Sequence, residues 1–213
     1  MNLILASGSP QRSEILTKLG VDFDVVVPGV DELTGGDPEI EVVENARRKA
    51  YTASRAGGVV GGTTPEDALA TAGGGGSPTA TGPARQVIAC DTDVVLDGKA
   101  LGKPVDEAEA REYLDRMSGR AHTVMSGLVV LADGEERSGL ESTTVVFRGL
   151  TEAEKERYVR FGEWRGRSGG YAIQTLGSTL VERVEGSVSN VVGLPVGLLL
   201  ELAPELVGFD HLG

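Results

Sequence analysis

The spacing of apolar and polar positions changes repeatedly along this chain, and each change marks an element. Asn2–Ala6 is an apolar run that reads as a buried strand. It empties abruptly into Ser7-Gly8-Ser9-Pro10, where Ser9 suits a helix N-cap and Pro10 a first helical position. Ile15, Leu16 and Leu19 then recur at helical spacing, and Gly20 is a stop signal. Residues 23–27 form a second apolar strand, and Pro38 opens a longer helix to Ala56 with Ile40, Val43 and Ala46 toward the core. Residues 86–96 are a strand closed by Asp97-Gly98, and 108–117 are helical. Residues 123–131 and 141–147 predict a hairpin about the turn Ala132-Asp133-Gly134-Glu135. A helix over 152–161 begins at Thr151; short strands over 171–173 and 180–184 and a last core helix over 194–206 follow. Strands and helices alternate, which predicts an α/β (or α+β) fold with a mixed sheet.

One stretch breaks the pattern. From residue 57 glycine, alanine and threonine dominate, and the periodicity is lost until about residue 84. So long a loop is uncommon inside a compact domain, and it carries neither a nucleophile nor a basic cluster. It reads as a flexible insertion at 57–84 within one domain of two lobes spanning 1–213.

Composition narrows the chemistry. The single cysteine, Cys90, permits no intramolecular disulfide, and with only His122 and His211 beside it a Cys/His zinc site is excluded. A metal here would be a hard cation held by oxygens. The net charge of −12 argues against nucleic acid or an anionic membrane as partner. No apolar run reaches the roughly 18 residues of a span, and the first residues lack a signal-peptide pattern, so a cytoplasmic location is expected. An anionic substrate would need local positive charge, yet only five of the 20 basic residues are lysines.

Two stretches could supply it. A strand, a small-residue turn and a helix start form an anion site, because free amides and the helix dipole point the same way. Ser7 and Ser9 add hydroxyls, and Arg12 adds a fork suited to phosphate. A merely capped helix is the alternative, and the P-loop pattern occurs nowhere. The second stretch is IACDTDVVLDGKALGKP. An aspartate amid apolar residues suggests a cleft, and a carboxylate with a lysine suits metal-assisted phosphate chemistry. Asp91 and Lys103 read this way, whereas Asp93 and Lys99 read as a solvated face. His122 reads as structural, and Trp164 and Tyr171 as packing.

SGSPQRSEIL, VDE at 30–32, NARRKA around Lys49, ACDTDVVLDGKALGKP, SGRAHTVMSGL and GGYAIQTLGSTLVERVEGSVSNVVGLP occur in the order typical of the Maf proteins. The resemblance spans almost the whole chain. It implies an elongated fold with a central cleft, similar to that of the inosine triphosphatases. It also implies a nucleoside triphosphate pyrophosphatase that cuts between the α- and β-phosphates with a divalent metal, magnesium or manganese. The Ser7–Arg12 loop would cradle the triphosphate, Lys49 and Lys103 would contact phosphates, Glu32 would be a metal-side carboxylate, and Asp91 would accept the proton of the attacking water and serve the metal. By sequence alone Lys49 is a solvated helix lysine and Glu32 an exposed acid. Thr92 and Gln174 match the branch acting on dTTP and UTP. Gln11 stands where the family usually has arginine in its specificity set, which leaves modified or purine nucleotides, or a nucleotide-binding regulator of septum formation, as alternatives. A homodimer is implied by the family alone.

Overall fold

The computed structural model describes residues 2–56 and 85–206; the predicted insertion at 57–84 lies outside them. Its seven strands form one mixed sheet, β1 (Asn2–Ala6), β2 (Phe23–Val26), β3 (Arg85–Leu96), β4 (Lys99–Ala100), β5 (Ala121–Ala132), β6 (Glu135–Phe147) and β7 (Val181–Glu185), in the order β2-β1-β3-β5-β6-β7 with β4 on β3. β1 runs parallel to both β2 and β3, and every other pairing is antiparallel. The helices are α1 (Pro10–Lys18), α2 (Pro38–Ala56), α3 (Glu107–Met117), α4 (Glu152–Phe161), α5 (Val188–Val192) and α6 (Val196–Leu202). The mixed α/β class predicted from the sequence is the one observed.

Strand parity sorts the core. Leu3, Leu5, Ile88, Cys90, Leu128 and Val130 pack on one face with Leu16 of α1 and Leu199 of α6. Their neighbours Ile4, Ala6, Val87, Ala89, Val129 and Leu131 pack on the other face with Ala46, Ala50 and Ala53 of α2. Both faces are covered, which is why these strands read as continuous apolar runs. A third cluster, around Tyr113, Phe147, Tyr158 and Trp164, sits at the opposite end of β3, β5 and β6.

Close approach of α2 is built in. A Cβ at Gly127 of β5 would stand 2.3 Å from the Val42 carbonyl oxygen, so only glycine lets the helix backbone lie there. Gly127 is the register partner of Asp91 on β3. The helix therefore rests on the sheet directly beside the strand position with the strongest chemical signal.

Several local expectations hold. Thr151 caps α4 in a capping box with Glu154. Asp97-Gly98 and Asp133-Gly134 all have positive φ, the signature of tight type I′ hairpins. Others need correcting. Ile40 is 66% exposed, because Glu41, Asn45 and Lys49 take buried positions and turn α2 so that Val42 faces the core instead. Strand β6 starts at Glu135, since its polar outer half still pairs with β5. Residues 171–173 form no strand, although Tyr171 is extended; their burial comes from side-chain packing. The single helix predicted over 194–206 is α6 followed by a short 3₁₀ turn at Pro204–Leu206, with α5 ahead of it and Pro195 and Pro204 at the breaks.

Candidate active site

β1 pairs with β3 only as far as Ile88, and β4 begins to pair at Val95. Between them one edge of β3 carries no strand among the described residues. The loop leaving the C-terminal end of β1 turns across this gap, and a cleft of about 690 Å³ opens there. Ligands of open α/β sheets sit beyond the carboxyl ends of the parallel strands for the same topological reason. Every residue singled out from the sequence lines this one cleft: Ser7, Ser9, Gln11, Arg12, Glu32, Lys49, Asp91, Thr92, Lys103 and Gln174.

Parity divides the cleft into two sides. On the Thr92 side lies Arg12, which is buried. Its Nε donates to the Gly193 carbonyl at 2.8 Å, Nη1 to Ser7 Oγ at 3.1 Å and Nη2 to Thr92 Oγ1 at 3.1 Å. Arg12 has no carboxylate partner among the described residues, so its charge is held entirely by neutral acceptors. Ser9 occupies the N-cap position, but its side chain does not cap the helix; Oγ donates to Gln11 Oε1 at 3.0 Å. The backbone of the loop is shaped instead by Ser7 Oγ, which accepts from the Ser9 amide at 3.1 Å.

On the Asp91 side lies Lys49, which is buried rather than solvated. Its Nζ reaches Asp91 Oδ1 at 2.5 Å and Glu32 Oε1 at 2.5 Å. The second Asp91 oxygen, Oδ2, accepts from Asn45 Nδ2 at 3.0 Å. Asn45 also bonds both backbone groups of Leu33, accepting from its N–H at 2.7 Å and donating to its C=O at 3.1 Å. Glu41, one turn earlier, accepts from the Gly36 amide at 2.6 Å. Asn45 and Glu41 were not picked out from the sequence. Their signal was available: with Lys49 they recur every four residues on one face of α2, which places three polar side chains in line.

Asp93 overturns its sequence reading. It does not lie on a solvated face: it lines the cleft, and its Oδ1 accepts from Ser168 Oγ at 2.9 Å. Burial pushes its carboxyl above the ordinary carboxylate range; the Ser168 bond opposes this, and the negative charges of Asp91, Glu32 and Glu41 reinforce it. Strand alternation puts Asp91 and Asp93 on one face of β3, and a cleft rather than solvent covers that face. Lys103 and Gln174 line the cleft and are exposed, with no hydrogen-bond partner among the described residues. His122 lies outside the cleft lining. It is packed edge-on against Phe147 and Tyr171, bonded through Nε2 to the Tyr171 hydroxyl at 2.9 Å, and burial lowers its pKa to about 4. It is a neutral core residue.

The donor set suits a hard cation only in part by itself. Glu32 and Asp91 lie within reach of one ammonium group, and no group of three His, Cys, Asp or Glu side chains gathers around a point among the described residues. Two carboxylates fit a magnesium-type ion that completes its shell with water and substrate phosphate.

Comparison with known proteins places the whole described chain in one family. The family model described as "Maf-like protein" matches residues 2–206. A dTTP/UTP pyrophosphatase of Deinococcus radiodurans is 41% identical over 94% of this chain and 90% of its own length. Namesakes from Pyrococcus furiosus and Thermococcus gammatolerans are each 37% identical, over 94% and 99% of this chain and 93% and 98% of theirs. Among solved structures, the Staphylococcus aureus Ham1 protein is similar with a TM-score of 0.42 and 16% identity, over 69% of this chain and 72% of that one. With every described residue inside the matched span, and the motif residues converging on one cleft, this chain belongs to the Maf-like protein family.

Proposed function

We propose that this chain hydrolyses dTTP and UTP to the nucleoside monophosphate and pyrophosphate. The observation that carries the reading is Asp91. It is a buried carboxylate whose two oxygens are held by Lys49 and Asn45 in an open cleft, across β3 from an arginine that has no carboxylate partner among the described residues. The names of the relatives support the substrate class.

The residues divide the work by charge. Arg12, Ser7 and the first-turn amides of α1 receive the phosphates, and Lys103, exposed in the cleft lining, adds positive charge. A water oxygen bonds to the α-phosphorus, its bond to the α–β bridging oxygen breaks, and pyrophosphate leaves with that oxygen. Asp91 takes the proton of the water. Lys49 holds the Asp91 carboxylate fixed in direction. Glu32 and Asp91 would hold a divalent cation such as magnesium or manganese, which when bound offsets phosphate charge. Thr92 acts on selectivity indirectly, since its hydroxyl is engaged by Arg12 and by Ser126 Oγ at 2.8 Å. Gln174, with a free amide at the rim, would present a donor and an acceptor to the base. Gln11 steadies Ser9 in place of an arginine charge.

A panel of nucleoside triphosphates with pyrophosphate detection tests this, with and without chelator. Preferred release from dTTP and UTP, lost with chelator and restored by magnesium or manganese, is the expected result. Preference for purine or modified nucleotides would move the substrate class, and tight binding without turnover would overturn the enzymatic reading.

A further inference from the structure

Glu41, Asn45 and Lys49 form a buried polar row along α2, and each grips a different point of the segment running from Glu32 to Gly36. Glu41 holds the Gly36 amide, Asn45 both backbone groups of Leu33, and Lys49 the Glu32 carboxylate. The row runs antiparallel to the segment it grips. Two of its members, Asn45 and Lys49, also grip Asp91. Asn45 is the only one of the three whose side chain joins the segment's backbone to Asp91 through direct hydrogen bonds, and it is 2% exposed.

We infer that Asn45 is a positioning residue for hydrolysis, setting the direction of Asp91 and the distance of Glu32 from it at the same time. The inference rests on the proposed role of Asp91. The side-chain amide is suited to this because its two ends differ. Oδ1 can only accept, and takes the Leu33 N–H; Nδ2 has two hydrogens, one for the Leu33 carbonyl and one for Asp91 Oδ2. With Oδ2 so bound and Oδ1 facing Lys49, the carboxylate plane is fixed. Asn45 makes no contact with the cleft's phosphate side, and its effect is on geometry at the reacting group. The close seat of α2 over Gly127 places it there: Gly127 pairs with Asp91, so the helix face carrying Asn45 lies above that carboxylate.

The test is steady-state kinetics on dTTP with Asn45→Ala, magnesium present, and with kcat normalised to the nucleotide-binding fraction of the preparation. Misplacing a reacting group by about 1 Å costs on the order of 10²-fold in rate, so kcat should fall by about that factor. KM should stay within about threefold, since the substrate's binding groups are untouched. A merely structural role would lower the folded fraction and leave the normalised kcat unchanged. A double-mutant cycle with Glu32→Gln adds a second reading. If Asn45 acts partly through Glu32, the double variant loses clearly less than the product of the two single losses; a multiplicative loss overturns the coupling. Should Asn45→Ala not fold, Asn45→Ser keeps a polar group in place and serves the same measurements. Asp91→Asn separates the two levels. If it retains turnover, the reading of the site fails; if it is inactive while the Asn45 variants keep kcat within about threefold, only the role of Asn45 fails.

Discussion

Two buried cations flank β3, and they are held in opposite ways. Lys49 is surrounded by carboxylates, Asp91 and Glu32, so its charge is more than matched. Among the described residues Arg12 has only the Ser7 and Thr92 hydroxyls and the Gly193 carbonyl. A buried charge without a counter-ion is costly, and its site gains free energy when an anion arrives. A buried ammonium between two carboxylates has the reverse character: the pocket carries residual negative charge and favours a cation or a proton donor such as water. A strand one residue thick separates the two fields. A substrate with an anionic tail and a scissile bond next to it is oriented by that difference alone, and a protein of net charge −12 needs such a local arrangement to attract a triphosphate at all.

The contrast can be broken first at its acidic centre. Asp91→Asn keeps the shape but removes the proposed proton acceptor; pyrophosphate release should fall by about 10²–10⁴-fold with the melting temperature little changed. Lys49→Met comes next and behaves differently. It leaves two carboxylates facing each other, one of them buried, so activity should be lost together with on the order of 3 kcal/mol of stability, read by denaturant unfolding. On the other side, Arg12→Lys keeps the charge and loses the fork. With about 1.5 kcal/mol for a charge-assisted hydrogen bond, KM for dTTP should rise roughly tenfold and kcat should change less. An equal effect on kcat would mean that the two sides are not separate in function.

Smaller effects sharpen the comparison from outside the cleft. Gly127→Ala forces a Cβ against the Val42 backbone, and overpacking of that kind costs about 1–3 kcal/mol. Since α2 carries Asn45 and Lys49 but not Arg12, the shift should lower kcat more than it raises KM. His122 provides a contrast in pH. Its pKa falls from 6.5 to about 4 on folding, so the unfolded chain binds more protons between those values and stability rises with pH across that window. At about 1.36 kcal/mol per unit, the contribution is on the order of 3 kcal/mol. His122→Gln should flatten the unfolding free energy between about pH 4 and 6.5 while leaving the pH dependence of turnover unmoved.

Much of this was readable along the chain because the governing forces are local or periodic. Alternation in β1, β3 and β5 fixed which residues face together, the Asp-Gly pairs fixed two hairpins, and Thr151 fixed the start of α4. The alternation in β3 also placed Asp91 and Asp93 on one face and Thr92 on the other, which is the division between the two cation sites. The motif residues named candidates for the cleft, and all of them line it.

Other features depended on what meets what across the fold. Lys49 reads as a solvated lysine and Asp93 as a solvated acid until Asp91 and Ser168 are seen beside them. Ile40 reads as core until the polar row of α2 claims the buried face. Ser9 reads as a cap until Gln11 turns its hydroxyl away. In each case the periodic signal gives a residue's direction but not its partner. A charged or polar side chain is placed by the partner that offsets its desolvation, and that partner lies 42 residues away for Lys49 and 75 for the Ser168–Asp93 pair. Sequence determined the strands, their faces and the motif residues that line the cleft; only the tertiary structure brought Glu41, Asn45 and Asp93 to it and decided which charges there are matched by a partner, because that depends on side chains far apart in the chain.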